Sequence, residues 1–266
     1  MPALVTDLGT ALDAVTDGCV LATGGAALSR KPIAAVRELV ARHPHDLELV
    51  TFVGSLDVEF LVGAGCVRAV RASSVSLGPL GRASAFADGA MIGRFEDLEE
   101  SEWMLLGRLR AAAAGLAFMP TRAALGSELL EHAQLQTVID PYTGTELLAL
   151  PPLHPDVAIL HAWRADELGN VQMPWPRDHL WDVDVMLARA ARHTIVTVER
   201  IVSAAEVVSC AEQTVLHSFE VDALIEVPRG AAPTSSPPDY AADLESVASV
   251  ALDIVNSQRS LSDTSP

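Results

Sequence analysis

Apolar and polar positions recur along this chain with two periods, and each switch between them marks an element. Residues 4–17 set Leu4, Leu8, Leu12 and Val15 at helical spacing, which predicts a first helix. The apolar run Cys19-Val20-Leu21-Ala22 then reads as a strand that feeds two adjacent glycines, Gly24 and Gly25. Past Pro32, whose fixed φ suits a first helical turn, Ile33, Val36, Leu39 and Val40 return at helical spacing with Arg37, Glu38 and Arg42 between them. The pattern is strand, glycine turn, helix to about Arg42.

The same alternation continues. Residues 47–53 and 66–72 read as strands by β-branched content and alternation, with a short apolar helix at 56–64 between them. A small-residue loop is expected at 73–81 and a helix at 82–92. An acidic stretch, 95–102, precedes a strong helix at 103–116, whose Ala111-Ala112-Ala113-Ala114 lets a neighbour approach closely. Residues 123–153 carry little periodicity and hold a turn at Asp140-Pro141-Tyr142-Thr143-Gly144. Strands follow at 157–162, 194–199 and 223–227, with a loop at 165–170 and a helix at 182–192. A last helix is expected at about 241–257, ahead of a polar tail, 258–266, expected to be disordered. Strands separated by helices predict an α/β fold, a mostly parallel open sheet with helices on both faces. No internal repeat or linker interrupts it, so residues 1–257 are expected to form a single domain.

Composition narrows the classes. The chain has 266 residues, half of them hydrophobic, enough for a substantial core. No apolar run reaches 18 residues, and the first residues lack a basic segment followed by an apolar block, so neither a membrane span nor a signal peptide is expected. Three scattered cysteines, Cys19, Cys66 and Cys210, fit neither a disulfide framework nor a zinc site, and no metal is expected. These features predict a cytoplasmic protein. A formal charge of −17 argues against nucleic acid as a partner.

Candidate chemistry gathers first at the glycine turn. A turn at the carboxyl end of a strand in an α/β sheet faces the ligand crevice, and its free amides favour anions. That makes Gly24 and Gly25 candidate ligand contacts, the alternative being a plain tight turn. Lys31, the sole lysine, could meet a phosphate there or start the helix in solvent. Gly-x-Gly-x-x-Gly is absent near residue 24, which weighs against a dinucleotide fold.

Several stretches then agree with one family. They are Gly24-Gly25 through Ser29-Arg30-Lys31-Pro32, Gly115-Leu116-Ala117-Phe118-Met119-Pro120-Thr121-Arg122, and His154-Pro155-Asp156-Val157-Ala158-Ile159-Leu160-His161-Ala162. Further on stand Ala165-Asp166-Glu167-Leu168-Gly169-Asn170-Val171, Thr197-Val198-Glu199-Arg200-Ile201-Val202 and Val227-Pro228-Arg229-Gly230-Ala231-Ala232-Pro233-Thr234-Ser235. In this order the chain resembles the α subunit of a heteromeric family I CoA-transferase of the glutaconate type, from near residue 10 to about residue 245. It departs at Ala26-Ala27, where the family often has a larger residue, and at Ala232, where it often has histidine. The segment Glu99-Glu100-Ser101-Glu102-Trp103 also carries one carboxylate more than the family's pattern.

The resemblance implies exchange of CoA between two carboxylic acids, with coenzyme A as a substrate and a β-type chain as obligate partner. In the heteromeric enzymes the nucleophilic glutamate lies in a Ser-Glu-Asn-Gly motif of the β subunit. Here Ser101-Glu102 runs into Trp103 and Ser127-Glu128 into Leu129, so the nucleophile is expected on the partner. Relatives resembling steroid-ring-opening hydrolases use an α-subunit glutamate near the acidic segment, which makes Glu99, Glu100 and Glu102 candidates. Their alternative reading is an acidic helix start favoured by the helix dipole. The resemblance further implies that Ser73, Ser74 and Ser76 help hold a substrate carboxylate. Asp166 and Asn170 fit a supporting turn, Glu199 could orient a partner group, and His161 fits a core histidine. Trp163, Trp175 and Trp181 could line an acyl pocket or, as we favour, an interface. A catalytically silent chain that stabilises its partner is the remaining alternative.

Overall fold

A computed structural model of the chain describes residues 4–129 and 135–262. The elements in order are β1 (Leu4–Val5), α1 (Leu8–Ala11), β2 (Val20–Ala26), α2 (Ile33–Arg42), β3 (Leu47–Gly54), α3 (Leu56–Gly63), β4 (Val67–Val75), α4 (Ser84–Met91), β5 (Glu96–Asp97) and α5 (Glu102–Ala113). Then come β6 (Met119–Thr121), β7 (Gln136–Ile139), β8 (Glu146–Leu150), β9 (Val157–Asp166), β10 (Val171–Gln172), α6 (Trp181–Ala190), β11 (His193–Val202), α7 (Ala204–Ser209), β12 (Thr214–Leu216), β13 (Ala223–Glu226) and α8 (Leu244–Ser262).

Eight strands form one parallel path in the order β1-β13-β11-β9-β2-β3-β4-β5; β10 pairs antiparallel with β9, and β12 antiparallel with β10. The expected α/β architecture is therefore present. The central strands are apolar on both faces, which is why they read as runs. Ala22, Val50, Ala158, Leu160, Val196 and Val198 pack under α5 and α6. Leu21, Leu47, Leu49, Val157, Ile159 and Ile195 pack against α2 and α3 on the other face. Removing such a side chain from water is worth about 1.5–3 kcal/mol, so these two layers carry most of the driving force.

Four local expectations are corrected. The stretch 4–17 is not one helix: Leu4 and Val5 pair with Ala223 and Leu224 at the sheet edge, and α1 starts only after Asp7, whose carboxylate accepts from the Thr10 amide. Ser73 and Ser74 are not a loop but the end of β4, because Ser74 and Val75 stay in register with Val53 and Gly54 of β3. The tail begins later than its polarity predicts: α8 runs to Ser262, and Gln258 is buried with its amide on the Val62 carbonyl. Residues 263–266 lie outside the described residues. The stretch 123–153, expected to hold only a turn, contains β7 and β8, which with β6 form a small antiparallel sheet, β6-β8-β7, closed over Met104 by Leu148 and Leu150.

Chain order fixes where a site can lie. From β2 the chain steps to β3, β4 and β5 on one side, while β9, β11 and β13 extend the sheet on the other. The order reverses between β2 and β9, and the crevice beyond the carboxyl ends of strands at such a point is where open α/β sheets bind ligands.

Candidate active site

The glycine turn sits at that crevice, but the chain uses its polar groups internally. The Gly25 amide donates to Asp184 Oδ1 at 2.8 Å, Ala26 to the Ser29 carbonyl at 3.0 Å, and Ala27 to the Val53 carbonyl at 3.0 Å. A Cβ on Gly24 would fall 2.5 Å from Leu160 and 3.0 Å from Asp184. On Gly25, at φ +73°, it would fall 2.4 Å from the Ser29 carbonyl oxygen. The two glycines thus close a turn against β9, α6 and the returning backbone at Ser29 and Arg30. Gly25→Ala is expected to cost well over the ~1–2 kcal/mol of a left-handed alanine, whereas Gly65→Ala, at the same φ with open space around it, should cost only that. Thermal unfolding of the two variants checks this; equal losses would show that the turn has room.

Lys31 is corrected by its surroundings. Its ammonium is fully buried, 2.9 Å from Asp57 Oδ2 and 2.9 Å from Thr51 Oγ1, and Thr23 donates to the same Asp57 oxygen at 2.7 Å. The charge is matched inside the protein and is directed away from any phosphate in solvent. Beside it Arg30 is nearly as buried and bonds Asp184 and Asp178, with Ser29 Oγ also on Asp178 at 2.9 Å. Asp178 and Asp184 come from the segment before α6 and from α6 itself. No local pattern announced them, because their partners are about 150 residues away in sequence.

The ends of β2, β3 and β4 stand side by side. The Ser76 amide donates to the Gly54 carbonyl at 3.0 Å, and Leu28 at the tip of the glycine turn faces Gly78. Of the three candidate serines, Ser73 spends its hydroxyl on the Phe52 carbonyl. Ser74 is exposed, and Ser76 Oγ accepts from the Gly78 amide, which leaves its proton free to donate.

The acidic segment reaches the same edge. β5 pairs with Ala69 and Val70, and the Glu100 amide meets the Ala72 carbonyl at 3.4 Å. Ser101 caps α5, its hydroxyl accepting from the Met104 amide. The three glutamates then separate. Glu99 and Glu102 are exposed. Glu100, just outside the cap, is 3% exposed and points inward, with Oε1 2.7 Å from both Arg71 and Arg108. Arg71 also meets Glu48 at 3.0 Å, so a balanced ion network lies under α5. Burial holds the Arg108 guanidinium below its ordinary range against the pull of Glu100.

On the far side of the crevice, Glu199 near the end of β11 gathers His161, Tyr240 and the backbone of Arg229. Oε1 lies 2.8 Å from His161 Nε2 and 2.6 Å from the Tyr240 hydroxyl, and Oε2 accepts from the Arg229 amide at 2.6 Å. Burial alone would raise this carboxyl; the bonds from His161, Tyr240 and the Arg229 amide outweigh it and hold the group at about 2. With the pKa depressed, the stabilisation is full above the ordinary glutamate range and is lost as pH falls toward 2. Acid unfolding of Glu199→Gln should therefore show a shallower pH slope between about 4.5 and 2; an unchanged slope would place the low pKa elsewhere. Glu199 fastens the segment 228–240, whose Ser235 in turn bonds the Leu28 and Arg30 backbones. Asp166 accepts from the Leu168 and Asn170 amides and the Asn170 side chain, the turn expected of it. Trp163 lies beneath the guanidiniums of Arg164 and Arg200 and Trp181 beneath that of Arg177, while Trp175 is 70% exposed.

This parallel sheet, with its crevice between β2 and β9, belongs to a known class: the chain is a member of the Coenzyme A transferase family, whose family model matches residues 5–221. It is 35% identical to the cholesterol ring-cleaving hydrolase IpdA subunit of Mycobacterium tuberculosis, over 91% of this chain and 85% of that one. It is 34% identical to a 3-oxoadipate CoA-transferase subunit of Pseudomonas knackmussii, over 76% and 71%. It spans about half, 52%, of an uncharacterized protein of Archaeoglobus fulgidus. Among solved structures it superposes on a variant of the decarboxylase AibA/AibB with a TM-score of 0.86 at 34% identity, covering 98% of this chain and 99% of that one. Glutaconate coenzyme A-transferase from Acidaminococcus fermentans gives 0.86 at 27%, covering 96% and 84%.

Proposed function

We propose that this chain is the α subunit of a two-chain CoA-transferase that moves CoA between carboxylic acids, with the nucleophilic glutamate supplied by a β-type partner. One observation carries the reading: the buried carboxylate beside the serine edge, Glu100, is neutralised by Arg71 and Arg108. A carboxylate so paired is a poor nucleophile, because attack would strip the buried Arg108 and the half-buried Arg71 of a shared counter-charge. The partner's carboxylate attacks the thioester carbonyl, the C–S bond breaks, and CoA leaves as thiolate. The thiolate then attacks the glutamyl carbonyl of the anhydride and releases the first acid, leaving a glutamyl-CoA thioester. A second acid enters by the reverse steps. Covalent catalysis divides one hard acyl exchange into easier ones. On this chain the Ser74 and Ser76 hydroxyls are the donors placed to hold a substrate carboxylate at the β4 end. The names of two relatives as CoA-transferase subunits support this reading.

A second reading, a CoA-thioester ring-opening hydrolase, is favoured by Glu99, which is exposed at the same edge, and by the IpdA relative. The test is co-expression with a β-type chain from a neighbouring reading frame, followed by an acyl-CoA panel with and without acceptor acid. Transfer predicts a new acyl-CoA only when acceptor is present, and intact mass should find the CoA adduct on the partner. Consumption independent of acceptor, or an adduct on this chain, would overturn it.

A further inference from the structure

Helix α4 starts without a cap of its own. Its N-cap residue is Ala83, extended at φ −79° and ψ 99°, and alanine offers no acceptor to the first amides of the helix. Glu59 of α3 fills that place from a neighbouring element. Its Oε1 accepts from the Phe86 amide at 2.9 Å and its Oε2 from the Ala85 amide at 3.1 Å. These are the two donors that an N-cap side chain ordinarily serves. Glu59 has no solvent exposure, and among the described residues no cation lies within ion-pair distance of it. Burial pushes its carboxyl up, and the amides of α4 pull it back. A buried carboxylate without a counter-ion is destabilising unless it is hydrogen-bonded, and here the positive end of α4 is its compensation.

A serine at position 83 would cap α4 without burying a charge, and the difference lies in what is tied to what. A local cap holds a helix to its own first turn, whereas a cap from α3 holds it to the layer packed on the sheet. Directly before α4 the chain makes a hairpin from Ser76 to Arg82. Those two residues bridge, and the Leu77 amide donates to the Gly81 carbonyl at 2.8 Å. Arg82 pins the hairpin to α4 through Asp88 at 2.7 Å. Leu77 and Ala83 are buried in one cluster with Ile33, Leu56 and Val247. On the same α3, Asp57 pairs with Lys31 beneath the glycine turn. One helix thus grips both the glycine turn and the Ser76 hairpin, which meet where Leu28 faces Gly78. We propose that Glu59 is a positioning residue: by capping α4 from α3 it sets the Ser76 hairpin against the glycine turn and so aims the Ser76 hydroxyl. The proposal rests on the transferase reading only for what that hydroxyl meets, a substrate carboxylate.

The test uses the chain assembled with its partner. Glu59→Gln keeps the length of the side chain but turns an amide nitrogen toward one of the two donors, so only one of the bonds survives. Hydrogen exchange should then speed up about tenfold at Ala85 and Phe86 and across the hairpin 76–82. Ala83→Ser, added to Glu59→Gln, gives α4 a local cap. It should restore protection at Ala85 and Phe86 and leave the hairpin fast, and it carries the same reading should the single variant not fold. In both variants KM for the acceptor acid should rise about tenfold, the worth of a hydrogen bond to a charged group, with kcat changed less. A residue that only stabilises the fold would lower the active fraction, and with it kcat, and leave KM alone. Unchanged exchange in the hairpin of Glu59→Gln overturns the proposal. So does recovery of both hairpin protection and KM on adding Ala83→Ser, because a local cap would then suffice. Exchange needs no turnover: in a complex without transferase activity, a hairpin that is fast in both variants supports the anchor while the transferase reading falls.

Discussion

Lys31→Met should lower stability by about 3–5 kcal/mol, because it leaves the Asp57 carboxylate buried without its counter-ion. Both side chains have no solvent exposure, and Asp57 joins Lys31, Thr23 and Thr51 beneath the glycine turn. Methionine nearly preserves the stem's volume, so the loss reports the charge rather than a cavity. For a chain of this size the melting temperature should fall by roughly 10 °C. Lys31→Met combined with Asp57→Leu should recover much of the loss, since replacing a whole buried pair is often close to neutral. The measurement is thermal unfolding of the single and double variants. A single variant within about 1 kcal/mol of the parent would mean that Asp57 is satisfied by its hydroxyl and amide donors alone. Turnover adds a second readout: a lysine that met a ligand would lower activity more than stability, whereas this buried one should lose both together.

That residue also shows where the sequence stopped being informative. The strands around Leu21, Leu49, Ile159 and Ile195 were legible because burial on both faces writes continuous apolar runs. The glycine turn was legible as a turn. Its polar accounting was not, because the groups that occupy it, Asp57 and Asp184, arrive from α3 and α6 and leave no local signature. Ser73 and Ser74 read as loop because serine carries little strand preference, yet the register with β3 holds them in the sheet. The small sheet β6-β8-β7 was hidden for another reason: β7 is largely exposed and β8 only half buried, so neither strand repeats a clear period. Arg200 lies in a stretch that carries the family resemblance and Arg164 between two others, but only the strand pairing brings Arg164 beside Arg200.

The acidic segment separates the two chemical readings most sharply. Three neighbouring glutamates look equivalent in sequence, and the cap at Ser101 divides them. Glu100 occupies the position before the cap, where an inward side chain is usual, and it meets Arg71 and Arg108 there. Glu100→Gln should therefore destabilise by several kcal/mol, about 3–5, with the loss visible in unfolding before any assay. Glu102→Gln, at an exposed first helical turn, should cost well under ~1 kcal/mol and leave turnover within about twofold. Glu99→Gln is the deciding variant, since Glu99 is exposed at the edge that carries Ser74. If the partner supplies the nucleophile, Glu99→Gln should keep most of the activity. Removal of a true nucleophile or base costs orders of magnitude. A loss beyond about a thousandfold at Glu99, with unfolding and partner binding unchanged, would move the chemistry onto this chain and favour the hydrolase. Retention within about threefold, with the CoA adduct found on the partner, would leave this chain the carboxylate-binding half of a transferase.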